Sequence, residues 1–210
     1  MEVSNTIAFD LQPHLENEYI RIEPLKKEKF ELLYEVASDP LLWEQHPNQD
    51  RYKKEVFQTF FEGALESGGA FMVYNNQTGV VIGSSRFYEL NEGEKTICIG
   101  YTFISRDHWG KAFNKALKTL MLNHAFKFVN KVIFHIGANN IRSQKAIHKL
   151  GAVKFAEQEM EYYGEQKKLN FYFQIEKGNW LEAQNSTSCT KKMTENSRNN
   201  SFNLVLQMKK

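Results

Sequence analysis

Ser105-Arg106-Asp107-His108-Trp109-Gly110-Lys111-Ala112-Phe113-Asn114 places one glycine between an apolar strand signal, Cys98 to Ile104, and a long amphipathic helix signal. A residue without a side chain lets a ligand approach the main chain. The first turn of the following helix aims unpaired N–H groups and the positive end of its dipole at the same spot. That pairing suits an anion, a pyrophosphate included. As plain structure, the same residues are a glycine that opens a helix, which is common. A second segment, Asn139-Asn140-Ile141-Arg142-Ser143 through Lys149-Leu150-Gly151-Ala152, follows about 30 residues on. Asn140 can cap a helix through its side-chain oxygen, with Ser143 in the first turn. Read as structure alone, it is a capped amphipathic helix with Ile147 and Leu150 facing inward. Two phosphate-binding patterns are missing. There is no G-x-x-x-x-G-K-[ST], and Gly110 stands alone where a dinucleotide fingerprint needs three glycines.

The elements that must position these segments alternate in type. Tyr19 to Pro24 reads as a strand. Lys26 to Ser38 carries Phe30, Leu33, Tyr34 and Ala37 on one helical face, and Asp39-Pro40 stops it. Tyr52 to Leu65 reads as a second helix. Ala70 to Tyr74, Val80 to Tyr88 and Lys95 to Ile104 read as an antiparallel meander, joined at Asn75–Gly79 and Glu92-Gly93. Lys111 to Phe128 is a long helix, and Val132 to Gly137 is a short buried strand. Asn140 to Leu150 is a helix closed by Gly151. Val153 to Met160 and Leu169 to Ile175 are final strands joined through Gly164. The expected fold is α+β: a mixed, mainly antiparallel sheet of about seven strands with helices on its faces.

Composition narrows the class. The chain has 210 residues, 41% hydrophobic and 25% charged, which suits one domain with a buried core and excludes wholesale disorder. Net charge is +2. Gln184 to Lys210 holds five Lys/Arg and one acid, so +4 belongs to this tail and −2 to residues 1–183. The expected division is therefore a domain over 1–183 and a polar basic, unstructured tail over 184–210. Charge alone gives no ground for a nucleic-acid partner. Cys98 and Cys189 make neither a disulfide framework nor a zinc cluster, so no metal is expected. The chain shows no membrane-spanning apolar run and no signal-peptide pattern at Met1-Glu2-Val3, so a cytoplasmic protein is expected.

Ile99-Gly100-Tyr101, Trp109-Gly110-Lys111-Ala112 and Asn140-Ile141-Arg142-Ser143 with Lys149-Leu150-Gly151-Ala152 together resemble the GNAT N-acetyltransferase superfamily. The likeness is greatest to the ribosomal-protein alanine acetyltransferase (RimJ/RimL-like) branch, over roughly Leu15 to Glu182. The resemblance implies acetyl-CoA as co-substrate and no metal. It implies that the strand ending near Ile104 splays from its parallel neighbour, Val132 to Gly137. The backbone of Phe103 and Ile104 would pair with the pantetheine arm. N–H groups of Trp109, Gly110, Lys111, Ala112, Phe113 and Asn114 would hold the pyrophosphate, with Asn140 and Ser143 beside the pantetheine and thioester.

Acetyl transfer to an amine needs a neutral amine, a polarised carbonyl and a protonated leaving thiolate. An α-amine, with a pKa of about 7.7–8.0, is neutral far more often at pH 7 than a lysine amine of about 10.4. Some relatives place an acidic base before Ile-Gly-Tyr, where this chain has Cys98. Many place a tyrosine acid seven positions after the Asn, where this chain has Ile147. Ser143 remains as the implied acid. Glu161 is the favoured base, with Glu159, Glu89 and His108 behind it. His135, inside an apolar strand, reads as a core histidine. The acceptor pocket is expected between the N-terminal helices and the last hairpin. Trp43, Arg86, Tyr88 and Cys98 would bind the acceptor, with His46, Tyr52, Phe57, Tyr162 and Tyr163 nearby. The expected activity is acetyl transfer to a primary amine, a protein N-terminus or a small molecule, by direct attack in a ternary complex. The alternatives are a polyamine or amino-sugar acceptor and a non-catalytic acyl-CoA-binding module. A homodimer is allowed for.

Overall fold

The structure is a computed structural model that describes residues 8–161 and 167–186. Tyr162, Tyr163, Gly164 and the tail from 187 onward lie outside the described residues. The strands are β1 (Leu15–Glu16), β2 (Ile20–Pro24), β3 (Ala70–Asn75), β4 (Val81–Asn91), β5 (Thr96–Ile104), β6 (Lys131–Gly137), β7 (Val153–Met160) and β8 (Lys168–Glu176). They form one sheet in the order β1-β2-β3-β4-β5-β6-β8-β7. Among the described residues β5–β6 is parallel and the other pairs are antiparallel. The expected architecture stands. The eighth strand is the two-residue β1, too short to show a period.

The helices are α1 (Phe30–Ala37), α2 (Lys54–Glu66), α3 (Phe113–Ala125) and α4 (Ile141–His148). Every residue of β3 is buried because both sheet faces are covered. Alternation sorts its side chains. Phe71 and Val73 pack with Leu117 and Met121 of α3 and Ile147 of α4. Ala70, Met72 and Tyr74 pack with Leu33 of α1 and Phe57 and Phe61 of α2. Period 2 in the strand thus meets two helical layers.

A further helical run over 177–186 has no counterpart in the sequence reading and crosses the expected boundary at 183/184. Its anchor is Trp180, which is buried against Phe126 and donates its indole N–H to Asn123 Oδ1 at 2.8 Å. The expected helix from Lys26 begins as a 3-10 turn, Lys27–Lys29. The expected helix from Lys111 begins at Phe113 and leaves Gly110–Ala112 as a loop.

Candidate active site

The parallel pairing of β5 with β6 stops early. Its register runs Thr96↔Lys131, Ile97↔Val132 and Cys98↔Ile133, and no further. From there β6 stays with β8 as far as Gly137↔Asn170, while β5 follows β4. An irregularity between Ser84 and Arg86 on β4 lies opposite Tyr101, which has a φ of 52°. A bulge of this kind bends the strand that carries it. The Arg86 guanidinium lies 4.0 Å from the centroid of the Tyr101 ring and holds it in place. The two strands therefore part into a cleft.

The walls of this cleft follow from strand alternation. Ser105 N–H donates to Ile82 O, so Ile82/Ser105 is a hydrogen-bonded pair and Gly83/Ile104 is not. Ile104 therefore turns its N–H and carbonyl toward the cleft. That carbonyl accepts from Trp109 Nε1 at 2.8 Å. Phe103 turns its main chain to β4 instead, and its ring packs on Trp43 at 5.1 Å. Under the cleft, Lys118 is buried and donates to Thr102 Oγ1 at 2.5 Å. Burial lowers its pKa from 10.5 to about 7.

Beyond Ile104 the cleft opens into a groove of one sign. Gly110 has a φ of +71°, and no atom lies within 4 Å of where a Cβ would sit. Ala112, the N-cap of α3, offers no side-chain bond, and the first helical bond is Ala116 N–H to Ala112 O. The N–H groups of Phe113, Asn114 and Lys115 precede it and have no partner within the helix. Lys111, Lys115, Arg142, Lys145 and Lys149 line the same groove, with no carboxylate among its described lining residues. The Arg142 guanidinium stacks 3.7 Å from the Trp109 ring centroid, pairs with Glu44, and so joins the two walls. Such a site fits a diphosphate.

Asn140 and Ser143 sit where groove and cleft meet and line both. Asn140 Oδ1 accepts from Ser143 N–H at 3.1 Å, the expected cap. Gln144 Nε2 donates to the carbonyls of Gly137 and Ala138 and ties α4 to the end of β6. A Cβ at Gly137 would meet Pro47 Cγ at 2.5 Å, so the glycine lets the Pro47 loop close that end.

The other end of the cleft is lined by Trp43, His46, Arg51, Tyr88, Tyr101 and His135. His46 is held neutral: burial and the Arg51 charge lower its pKa, and its Nε2 lies 3.2 Å from Arg51 Nη1. Trp43 and Tyr88 thus reach the cleft. Arg86 is buried behind Tyr101, where it donates to Gly63 O at 3.1 Å and is held at about 10 by burial. Cys98 is buried behind Tyr88, its directly opposed neighbour on β4. Burial and the adjacent Glu89 push its thiol pKa up.

The expected base residues scatter. Glu161 is exposed just past the end of β7 and is not among the cleft-lining residues. Glu159 lines an outer groove with Lys168. His108 is tied to Ser105 Oγ at 2.6 Å and to Asn75 Nδ2 at 3.3 Å. His135 is a finding: it is half-buried on the cleft wall rather than in the core, with Nδ1 3.1 Å from Tyr88 Oη. Alternation along β6 carried the signal, since its neighbours Phe134 and Ile136 are the inward residues.

These features match a known family. Residues 20–153, more than half of the chain, match the model for the acetyltransferase (GNAT) domain. The chain belongs to the GNAT acetyltransferase family, and it is an N-acetyltransferase. Solved structures share the fold. A GCN5-related N-acetyltransferase from Brucella melitensis is 16% identical with a TM-score of 0.71, over 81% of each chain. Spermidine N-acetyltransferase from Vibrio cholerae, in complex with CoA and spermine, is 15% identical with a TM-score of 0.61, over 79% of this chain and 99% of that one. Mycobacterium smegmatis RimJ in complex with CoA-disulfide is 12% identical with a TM-score of 0.62, over 82% and 93%. No curated protein matches the chain in sequence.

Proposed function

We propose that this enzyme transfers the acetyl group of acetyl-CoA to an α-amine, of a protein N-terminus or a small molecule, by direct attack in a ternary complex. One observation carries the reading: a groove of five Lys/Arg and no described carboxylate runs from the uncapped start of α3 into the cleft between β5 and β6. Those cations and the free N–H groups of α3 suit the coenzyme's phosphates. The Ile104 main chain offers the extended arm an edge to pair with, once the Trp109 indole yields its carbonyl. The thioester then lies near Ser143.

The amine enters from the side of Trp43, His46 and Tyr88. Its lone pair attacks the carbonyl carbon, the C–S bond breaks, and the nitrogen gives up one proton. The leaving thiolate takes a proton from the Ser143 hydroxyl, which regains one from the nitrogen through water. Placement supplies most of the rate, because an α-amine is neutral in an appreciable fraction near pH 7. Glu161 acts as base only through water, given its place outside the cleft.

The acceptor wall favours an α-amine over a polyamine. Its described lining residues include Arg51 and no carboxylate, and the nearby Glu89 accepts from the Cys98 thiol, whereas a second or third ammonium would need an acid facing it. The test is free-thiol release from acetyl-CoA against peptides, amino acids, amino sugars and spermidine, with products identified by mass spectrometry. Turnover with peptide or amino-acid α-amines and not with spermidine is expected. Saturable coenzyme binding without thiol release on any amine would leave only the binding-module reading.

A further inference from the structure

Three side chains from three neighbouring strands converge beside the acceptor end of the cleft: Glu89 on β4, Cys98 on β5 and His135 on β6. Cys98 Sγ lies 3.5 Å from Glu89 Oε2 and 4.0 Å from His135 Nε2. One donor atom from each lies within 4.8 Å of the other two. We propose that Glu89, Cys98 and His135 bind a divalent transition-metal ion of the zinc class, with a fourth position left open to solvent.

The backbone is bent to make this cluster. In an unbroken strand, Glu89 and Tyr88 would face opposite sides of the sheet. Tyr88 stands directly across from Cys98, so Glu89 would point away. The pairing instead breaks between Tyr88 and Asn91, and Glu89 takes a φ of 51°. A left-handed conformation in a glutamate is costly, and bulges re-aim side chains next to functional sites. Here the result is a carboxylate turned onto a thiol and an imidazole. Among the described residues, no Lys or Arg forms an ion pair with Glu89. A metal supplies the missing positive charge and turns the thiol into a thiolate ligand.

Geometry and donor type agree. A tetrahedral zinc with ligand bonds of about 2.0–2.3 Å spaces its ligand atoms about 3.3–3.7 Å apart, so the cluster needs only small side-chain rotations. Sulfur with imidazole selects zinc over magnesium or calcium. The His135 ring is already oriented. Tyr88 Oη holds Nδ1 at 3.1 Å, which leaves Nε2 to the metal, and the Tyr172 ring packs on it at 4.1 Å. A partner on the second nitrogen is the usual outer support of a metal-bound histidine. Glu89 is exposed and gives the ion a way in.

The test is a Co2+ titration of metal-stripped full-length protein carrying Cys189→Ser, which removes the other cysteine. Expected are a thiolate-to-cobalt charge-transfer band and the intense visible bands of a four-coordinate ion, erased by Zn2+. Cys98→Ser should abolish the charge-transfer band, and His135→Asn should weaken binding. Tyr88→Phe, which keeps all three ligands, should weaken it about 10–100-fold. Circular dichroism confirms that each variant is folded. No band in the Cys189→Ser protein, a band that survives Cys98→Ser, or unchanged affinity in both His135→Asn and Tyr88→Phe overturns the site. None of these readouts depends on the acceptor or on turnover.

Discussion

Lys118 is charged in an unfolded chain, yet in the fold its Nζ meets Thr102 Oγ1 and the Phe134 ring rather than water. Burial lowers its pKa from 10.5 to about 7. Between those values the unfolded chain holds a proton that the folded chain lacks, so stability rises with pH across that window. Below about pH 7 both states are protonated, and the cost of burying the charge is at its fullest. Lys118→Met removes that cost, which is on the order of a few kcal/mol. Urea unfolding should show the variant more stable than wild type at pH 7, with the gain largely gone at pH 10. An equal difference at both pH values would mean the ammonium is not desolvated. Ser143 is the other residue with a sharp test. Its N–H is spent on the Asn140 cap, so its hydroxyl is the part free for chemistry. Ser143→Ala should lower kcat about 10–100-fold while acetyl-CoA affinity changes little. Matched losses in both would assign it to binding.

At the scale of elements, the start of α3 matters most. The sequence placed a helix from Lys111, and the structure starts it at Phe113, which leaves a short loop that turns at Gly110. Gly110→Ala adds a methyl into open space at a φ of +71° and so costs backbone strain alone. Gly110→Asp adds a similar strain plus a negative charge at the phosphate groove. Calorimetry should therefore show Gly110→Asp losing far more acetyl-CoA affinity than Gly110→Ala, with the gap narrowing at high salt. Equal affinities would place the phosphates elsewhere. The cleft itself is also a property of an element. β5 departs from β6 because Tyr101 is bulged and strained, and no period in Thr96–Ile104 announces that. The family resemblance implied a splay, and the bulge at Tyr101 lies on the stretch of β5 that has left β6.

For the whole molecule, the cover of the sheet on the α3 side depends on a helix that the sequence reading did not assign, lying mostly inside the expected domain 1–183. Trp180 belongs to the helical run over 177–186 and fills the α3 side of the core through Phe126 and Asn123. Trp180→Ala should cost about 3–5 kcal/mol in chemical denaturation. Equal stability of Trp180→Ala and wild type would show that the last helix is not part of the core. The sequence missed this helix because Trp180 and Leu181 are isolated among polar neighbours, too few for a 3.6-residue period.

What the sequence determined was local. The apolar periods of Val132–Gly137 and of the helix after Asn140, the cap at Asn140 and the glycine at 110 depend on neighbours within a turn or a strand, and all are present in the fold. The family followed from those motifs. The tertiary structure decided which side chains meet. His135 reached the cleft rather than the core, Arg86 and Cys98 went behind the wall rather than onto it, and Glu161 stayed outside. Cys98 lies 9 positions from Glu89 and 37 from His135, and a β-bulge with the sheet register brings the three together. Contacts of that kind depend on where strands break their pairing. That is a balance of backbone strain against packing over the whole sheet, and no short stretch of sequence encodes it.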